Sequence, residues 1–378
     1  MIIGGGPAGT AAATTLVRAG QAVTLIERGV DASDKVCGDF LSAEALATIE
    51  GLDIDLSAAS TISAVRLVHR NRSVTTDLPF AARGLSRRAL DEALLRQAQA
   101  RGATVLRGHR VSAIEQDRGS MLLSCGTLGR IAAETVFLAT GKHEVRGVSR
   151  ISRGTGLVGM KMYYALAASQ LQALRHHVEL ILFAGGYAGL QVVEADRVVL
   201  CVLLPATRLR AVAGKWDSLL DALTEECPHL LMRLAGARGL LDQPLAVAGL
   251  PYGYMYRADR RDLPGLFRLG DQAAVIASLT GDGVALALAS GSLAARTWLA
   301  DGSRAHYHDR LAAGLSRQMR VASAVHRLCL NPALQPWVAA ICGLWPGAIR
   351  LAATATRAPT DRLANDAVTA PARTRRKG

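Results

Sequence analysis

The chain opens on an apolar triplet, Met1-Ile2-Ile3, that runs straight into Gly4-Gly5-Gly6 and then an Ala-rich stretch. A second apolar run, Val23-Thr24-Leu25-Ile26, ends at Glu27. Short apolar runs bounded by glycine read as buried strands and the stretch between them as a helix, so residues 1–30 predict strand, glycine turn, helix, strand. A helical pattern follows at 87–101, short strands at 103–107 and 110–115, a hairpin-like stretch at 121–131 and an apolar strand at 134–139. Residues 60–80 alternate weakly, as a half-buried strand does. Four more strand candidates fall at 157–166, 178–183, 189–194 and 197–204, with a helical segment near 215–235. Residues 263–300 read as a strand, a turn rich in Gly and Asp, and a long Ala/Leu helix.

A nucleotide-binding pattern thus breaks off for strand-rich insertions and resumes later, which predicts two interleaved domains. Residues 1–60, 85–150 and 263–300 make a discontinuous dinucleotide-binding domain, and 61–84 and 151–262 a substrate domain. Residues 301–356 form a C-terminal helical segment, and the polar, basic residues 357–378 are expected to be disordered. The stretch 333–349 carries no charge, but it is short for a bilayer span and is broken by Pro336 and Pro346. It reads as a helix pair packed on the body, or as an apolar cover over a substrate channel or a membrane-contacting edge.

Composition narrows the class. Of 378 residues, 50% are hydrophobic and 20% charged, as in a globular chain. The formal net charge of +13 permits contact with nucleic acid or an anionic membrane. No helix-turn-helix, zinc-finger spacing or basic cluster interleaved with aromatics is present, so no nucleic-acid partner is expected. Six cysteines without a CxxC pair point to a reducing, cytoplasmic setting, with peripheral membrane contact left open by 333–349. The N-terminus has neither the basic region nor the cleavage site of a signal peptide. A three-residue first strand is short for a buried parallel strand, which leaves open whether the true start lies upstream or the chain is slightly truncated. His306 and His308 lack carboxylate or thiolate partners, no HExxH or GxSxG occurs, and no metal site is expected.

The chemistry begins at Gly4-Gly5-Gly6-Pro7-Ala8-Gly9. Gly4 makes the tight turn, Gly6 admits a pyrophosphate to the backbone, Gly9 lets helix and strand pack closely, and the helix N-terminus offers free N–H groups to phosphate. Glu27, followed by Arg28, closes the second strand, where a carboxylate accepts hydrogen bonds from a ribose diol and repels a 2′-phosphate. A second segment, Gly270-Asp271-Gln272-Ala273-Ala274, follows an apolar strand, and Thr280-Gly281-Asp282-Gly283-Val284 opens a helix ten residues later. A carboxylate at 271 suits a polyol, and a glycine-rich helix start suits an electron-rich carbonyl edge. Together they fit the ribityl chain and the N1/C2=O edge of a flavin.

These segments, with Lys35-Val36-Cys37-Gly38-Asp39-Phe40-Leu41-Ser42, Leu85-Ser86-Arg87-Arg88-Ala89-Leu90-Asp91 and Leu138-Ala139-Thr140-Gly141, resemble the flavoproteins of the para-hydroxybenzoate hydroxylase fold, especially their geranylgeranyl-reductase-like branch. The resemblance covers roughly residues 1–300. It implies an α/β fold: a Rossmann-like FAD-binding domain of the glutathione-reductase βαβ type, interleaved with a strand-rich substrate domain and followed by a helical segment. It implies non-covalent FAD, with Gly4, Gly6, Pro7, Ala8 and Gly9 at the pyrophosphate, Glu27 and Arg28 near the adenosine ribose, Arg87 near the pyrophosphate and Val111 at the adenine. Gly270 and Asp271 fall at the ribityl–phosphate region, and Gly281, Asp282 and Gly283 at the isoalloxazine. NAD(P)H enters as a transient electron donor at most, since one GxGxxG with an acidic partner occurs.

Two departures bear on the reaction. The prenyl reductases' Tyr-x-Trp-x-Phe-Pro motif is replaced by Gly185-Gly186-Tyr187-Ala188-Gly189-Leu190, and the halogenases' paired-Trp motif is missing. The expectation is an FAD-dependent oxidoreductase of monooxygenase type, oxidising or hydroxylating an apolar or phenolic small molecule. The alternatives are reduction of a prenyl double bond and a non-catalytic FAD-binding role. Three substrate-side residues stand out. Cys37 is expected to line the cavity or to be a small buried apolar group. Lys161 pairs with an acidic substrate or is a solvated strand lysine. Tyr187 reaches into a cavity or packs in the core.

Overall fold

The computed structural model describes residues 1–150, 154–259 and 262–357. The chain begins with β1 (Ile2–Ile3), α1 (Pro7–Arg18), β2 (Thr24–Glu27), β3 (Phe40–Leu41) and α2 (Ala43–Gly51). The weakly alternating region is a hairpin, β4 (Ser60–His69) and β5 (Arg72–Gly84), turned at Arg70 with φ 57°. Then come α3 (Arg87–Ala100), β6 (Thr104–Arg107), a meander of β7 (Ala113–Asp117), β8 (Ser120–Ser124) and β9 (Arg130–Ala133), and β10 (Val136–Leu138). The insertion supplies β11 (Leu157–Ala165), α4 (Ala168–Leu174), β12 (His176–Phe183), β13 (Gly186–Val192), β14 (Val198–Pro205), α5 (Ala206–Ala211), α6 (Trp216–Glu226), α7 (Pro228–Leu234), β15 (Arg238–Gly239) and β16 (Leu245–Ala248). The helix expected near 215–235 is two helices, because Pro228 drives Cys227 out of the helical region to φ −129° and ψ 87°. Last come β17 (Leu266–Arg268), α8 (Gly283–Ala300), the 27-residue α9 (Arg304–Leu330), α10 (Gln335–Leu344) and α11 (Gly347–Ala355).

Two sheets carry the fold. The first is fully parallel in the order β17-β10-β1-β2-β6, the nucleotide-binding arrangement expected from the sequence. One face packs on α1, α8 and α9 through Ala8, Ala12, Leu286, Leu293 and Leu311. The other packs on the β7-β8-β9 meander through Ile26, Met121, Leu123 and Leu138.

The second sheet has nine strands, with β12 and β4 parallel and its other pairings antiparallel. Strand residues alternate between its faces. Ile181, Phe183, Leu200 and Val202 point to one face and pack on α4, α6 and α7. Leu180, Leu182, Tyr187 and Leu203 point to the other, toward α9, α10 and α11. Behind the sheet, Glu179 receives Arg233 at 2.9 Å and His229 at 2.8 Å; burial opposes its charge, but these partners hold its carboxyl down at about 2. The two sheets therefore meet across a cleft that the C-terminal helices cover.

Of the segment expected as a disordered tail, 357–378, only Arg357 is among the described residues. Arg357 packs against the body, and 358–378 lie outside the described residues.

Candidate active site

One continuous cavity of about 640 Å³ runs from the loop after β1 to the inner faces of α10 and α11. Its first end is built by glycines. Gly4 has φ +104°, and a Cβ there would lie 2.4 Å from the Ala139 carbonyl oxygen. A Cβ on Gly9 would lie 2.0 Å from the Gly4 carbonyl oxygen, so strand and helix touch backbone to backbone and Gly9 does not line the cavity. Gly6 differs: the nearest atom to its Cβ position is an Arg87 guanidinium nitrogen 3.5 Å away, across open space. The first turn of α1 has no side-chain cap, so its N–H groups face that space beside Pro7 and Ala8. An uncapped helix start and a guanidinium on either side of a gap fit a pyrophosphate.

Arg87 is held there by Asp91, with Nε–Oδ1 at 2.9 Å, and Asp91 also receives Lys35 at 2.6 Å. Burial works against the charge on Arg87, but the adjacent carboxylate outweighs it and holds the guanidinium protonated. Glu27 accepts the Gly5 N–H at 2.6 Å and the Gly29 N–H at 2.9 Å, and still lines the cavity. It therefore fixes the loop and presents a carboxylate edge where a ribose would lie. Arg28 and Val111 line the same end.

At the far end of the first sheet, the Gly270 N–H donates to Ser290 Oγ at 2.9 Å, and Arg150 donates to the Asp271 carbonyl at 2.6 Å. Both bonds leave the Asp271 carboxylate facing the cavity. Gly281 has φ +72°, and its Cβ position is 2.6 Å from the Phe40 ring. Gly281, Gly283 and Val284 bring the α8 N-terminus to the cavity wall. These donors fit an electron-rich carbonyl edge, as the flavin ring presents.

Two residues expected at the site are placed elsewhere. The Asp282 side chain is fully buried away from the cavity, with its carboxylate 2.8 Å from Arg357. Position 282 precedes the helix, and its side chain turns to the last helix, so only its neighbours reach the cavity. Lys161 lies on the cavity-side face of β11, as alternation requires, but the loop 34–39 covers it. Its ammonium reaches Asp39 Oδ2 at 2.6 Å and the Lys35 carbonyl at 3.0 Å, so it does not face a substrate.

Asp39 is the knot that sequence reading missed. It also receives the Tyr163 hydroxyl at 2.5 Å and the Arg87 N–H at 3.2 Å. Burial pushes its carboxyl up against these partners. Asp39 stood in the quoted loop, but its side-chain partners Lys161 and Tyr163 lie on β11, 122 and 124 positions away, and no local pattern announces them. Cys37 lines the cavity beside the knot, where its sulfur accepts the Asp39 N–H at 3.4 Å.

On the substrate side, Ser278 Oγ lies between two phenols, 2.6 Å from the Tyr187 hydroxyl and 2.9 Å from that of Tyr252. All three residues line the cavity. Burial pushes Tyr252 above its ordinary value. Cys201 lines the cavity, and burial pushes its thiol up to about 12. The rest of this wall is largely apolar, with Val65, Leu67, Val178 and Leu180 from the sheet and Val338 and Ile349 from the helices. Sequence reading offered Tyr187 as a cavity or core residue and missed Cys201 on β14 and Ser278 and Tyr252, which lie outside the strands. No cluster of His, Cys, Asp or Glu among the described residues suits a metal.

Residues 1–122 match the FAD binding domain family. The chain is 28% identical over 316 residues to the menaquinone reductase of Mycobacterium tuberculosis, covering 78% of this chain and 75% of that protein. It is 24% identical over 325 residues to that of Mycolicibacterium smegmatis, covering 80% and 76%. Among solved structures, the flavin-dependent brominase Bmp2 superposes with a TM-score of 0.77 at 16% identity, over 97% of this chain and 96% of the other. A geranylgeranyl bacteriochlorophyll reductase-like protein from Thermoplasma acidophilum superposes with a TM-score of 0.69 at 17% identity, over 87% and 86%. At these identities the structural likenesses speak for the fold. With the family match over residues 1–122 and the cavity they agree on an FAD-dependent oxidoreductase, whose fold is similar to that of the para-hydroxybenzoate hydroxylase group.

Proposed function

We propose that the protein reduces a carbon–carbon double bond in the prenyl-like chain of an apolar substrate with a polar head. The observation that carries this reading is the cavity wall, largely aliphatic from the nine-stranded sheet to α10 and α11, with three hydroxyls brought together at Tyr187, Ser278 and Tyr252. The similarity to menaquinone reductases supports it. Reduced FAD, when bound, supplies two electrons as a hydride, and a reduced nicotinamide or another two-electron donor restores them.

The chain's own residues do the rest. The aliphatic walls exclude water and hold the chain. The hydroxyl trio hydrogen-bonds a carbonyl or phenol oxygen of the head. When hydride reaches one alkene carbon, the other would take a proton, and the Cys37 thiol, which lines the cavity, would donate it, with solvent reprotonating the thiolate between turnovers. Cys37 is thus a catalytic residue in this reading, while Asp39 and Lys161 position its loop.

One observation favours hydroxylation instead. The same hydroxyl trio would hold a phenol, the electron-rich substrate that oxygen-dependent flavin chemistry attacks. A single experiment separates the two. Under strict anaerobiosis with reduced nicotinamide, a prenylated quinone should gain two hydrogens and no oxygen. Product that forms only in air and carries one labelled oxygen atom overturns the reductase reading.

A further inference from the structure

The two faces of the C-terminal helix pair have different neighbours. Val338, Cys342, Ala348, Ile349 and Ala352 line the cavity. On the outside, Trp337 is 69% exposed, Ile341 54%, Leu344 90%, Trp345 57% and Leu351 60%. α10 and α11 meet at 114°, and neither is long enough to cross the roughly 30 Å hydrocarbon core of a bilayer. A bent apolar pair with tryptophans at its corner has the form of an interfacial wedge.

Charge gathers in the elements beside the wedge. Residues 310–357 contain six arginines and no Asp or Glu. Arg317, Arg320, Arg327 and Arg350 are exposed. Two copies meeting face to face would oppose these like charges across the contact, whereas an anionic lipid surface neutralises them.

We infer that the outer face of α10 and α11 docks the protein on an anionic lipid bilayer, with the helix pair forming the wall between lipid and cavity. An apolar substrate would then reach the cavity from the bilayer without crossing water. The docking itself does not depend on which reaction follows.

The test is co-sedimentation of the FAD-loaded full chain with vesicles of phosphatidylcholine, alone or mixed with phosphatidylglycerol. The protein should pellet with the mixed vesicles, less with phosphatidylcholine alone, and less as salt rises. The double variant Trp337→Glu/Leu344→Glu should lose binding by at least about tenfold, because each change removes a large apolar side chain from the lipid contact. Its FAD content and its turnover of a short, water-soluble substrate should match the parent, since neither residue lines the cavity. Wild type left in the supernatant at low salt, or a double variant that pellets as well as wild type, overturns the inference. So does a wild-type dimer in light scattering that the double variant converts to monomer, because the face would then join two copies. Since vesicle binding is read without turnover, failure of the double-bond reading leaves this test intact.

Discussion

Lys161 and Asp39 form a fully buried ion pair, Nζ to Oδ2 at 2.6 Å, that ties the loop carrying Cys37 to β11 of the substrate sheet. The pair joins the two interleaved domains at the point where the cavity passes from one to the other. Removing one partner leaves an uncompensated buried charge. Lys161→Met should lower stability by about 3–5 kcal/mol, read as the free energy of urea unfolding. A loss under about 1 kcal/mol would mean that the pair contributes only what a surface ion pair does.

Glu27 holds the Gly5 and Gly29 N–H groups and faces the cavity. Glu27→Arg replaces the acceptor with a cation and frees the loop. A lost charged hydrogen bond costs about 1.5–3 kcal/mol, so FAD affinity should fall by roughly ten- to a hundredfold in a fluorescence titration of apoprotein. Affinity equal to wild type would remove Glu27 from the cofactor site.

His326 packs edge-on to Tyr187 and Tyr252, and burial lowers its pKa from the usual 6.5 to about 4. A histidine depressed in the folded state contributes stability that is present above 6.5 and lost as pH falls from there to about 4. The full contribution is about 3 kcal/mol. His308, lowered to about 3 mainly by burial, acts in the same direction. Stability should therefore decline between pH 6.5 and 4, and His326→Phe should flatten part of that decline. An unchanged pH profile in the variant would show that His326 is solvated when the protein acidifies.

Arg357 joins the end of the last helix to Asp282 at the start of α8 and lies over the Phe80 ring at 4.7 Å. Arg357→Ala should loosen α11 from the cavity wall. Trypsin should then cut after the exposed Arg350 faster than in wild type. Equal cutting rates would show that the apolar contacts of α11 hold it without the latch.

What the sequence announced and what it withheld divide by range. Gly4, Gly6 and Gly9 were legible because a glycine turn between a short strand and a helix is a local pattern. The Gly270–Gly283 segment was legible for the same reason. Lys161 was read as a substrate partner or a solvated strand lysine, because alternation fixes its face but says nothing of the loop that covers it. Asp282 was read with its glycine neighbours, and its turn toward Arg357 depends on where the last helix ends. The charge was legible as a total but not as a distribution, since the arginines of α9 look unremarkable until the helix pair beside them is seen to expose its tryptophans.

The central strand of the nucleotide-binding sheet has consequences for how the protein is made. Ile2 is made well before its neighbour Phe137, which arrives only after the meander, and Phe267, which pairs with Phe137, arrives only after the whole substrate domain. The first strand must wait through most of synthesis for its sheet to close. Such distant pairings make folding slow, and the walls that hold FAD come from both ends of that wait. Cofactor capture is thus one of the last events in this chain's assembly, and cells short of flavin should accumulate full-length chains with an open first sheet.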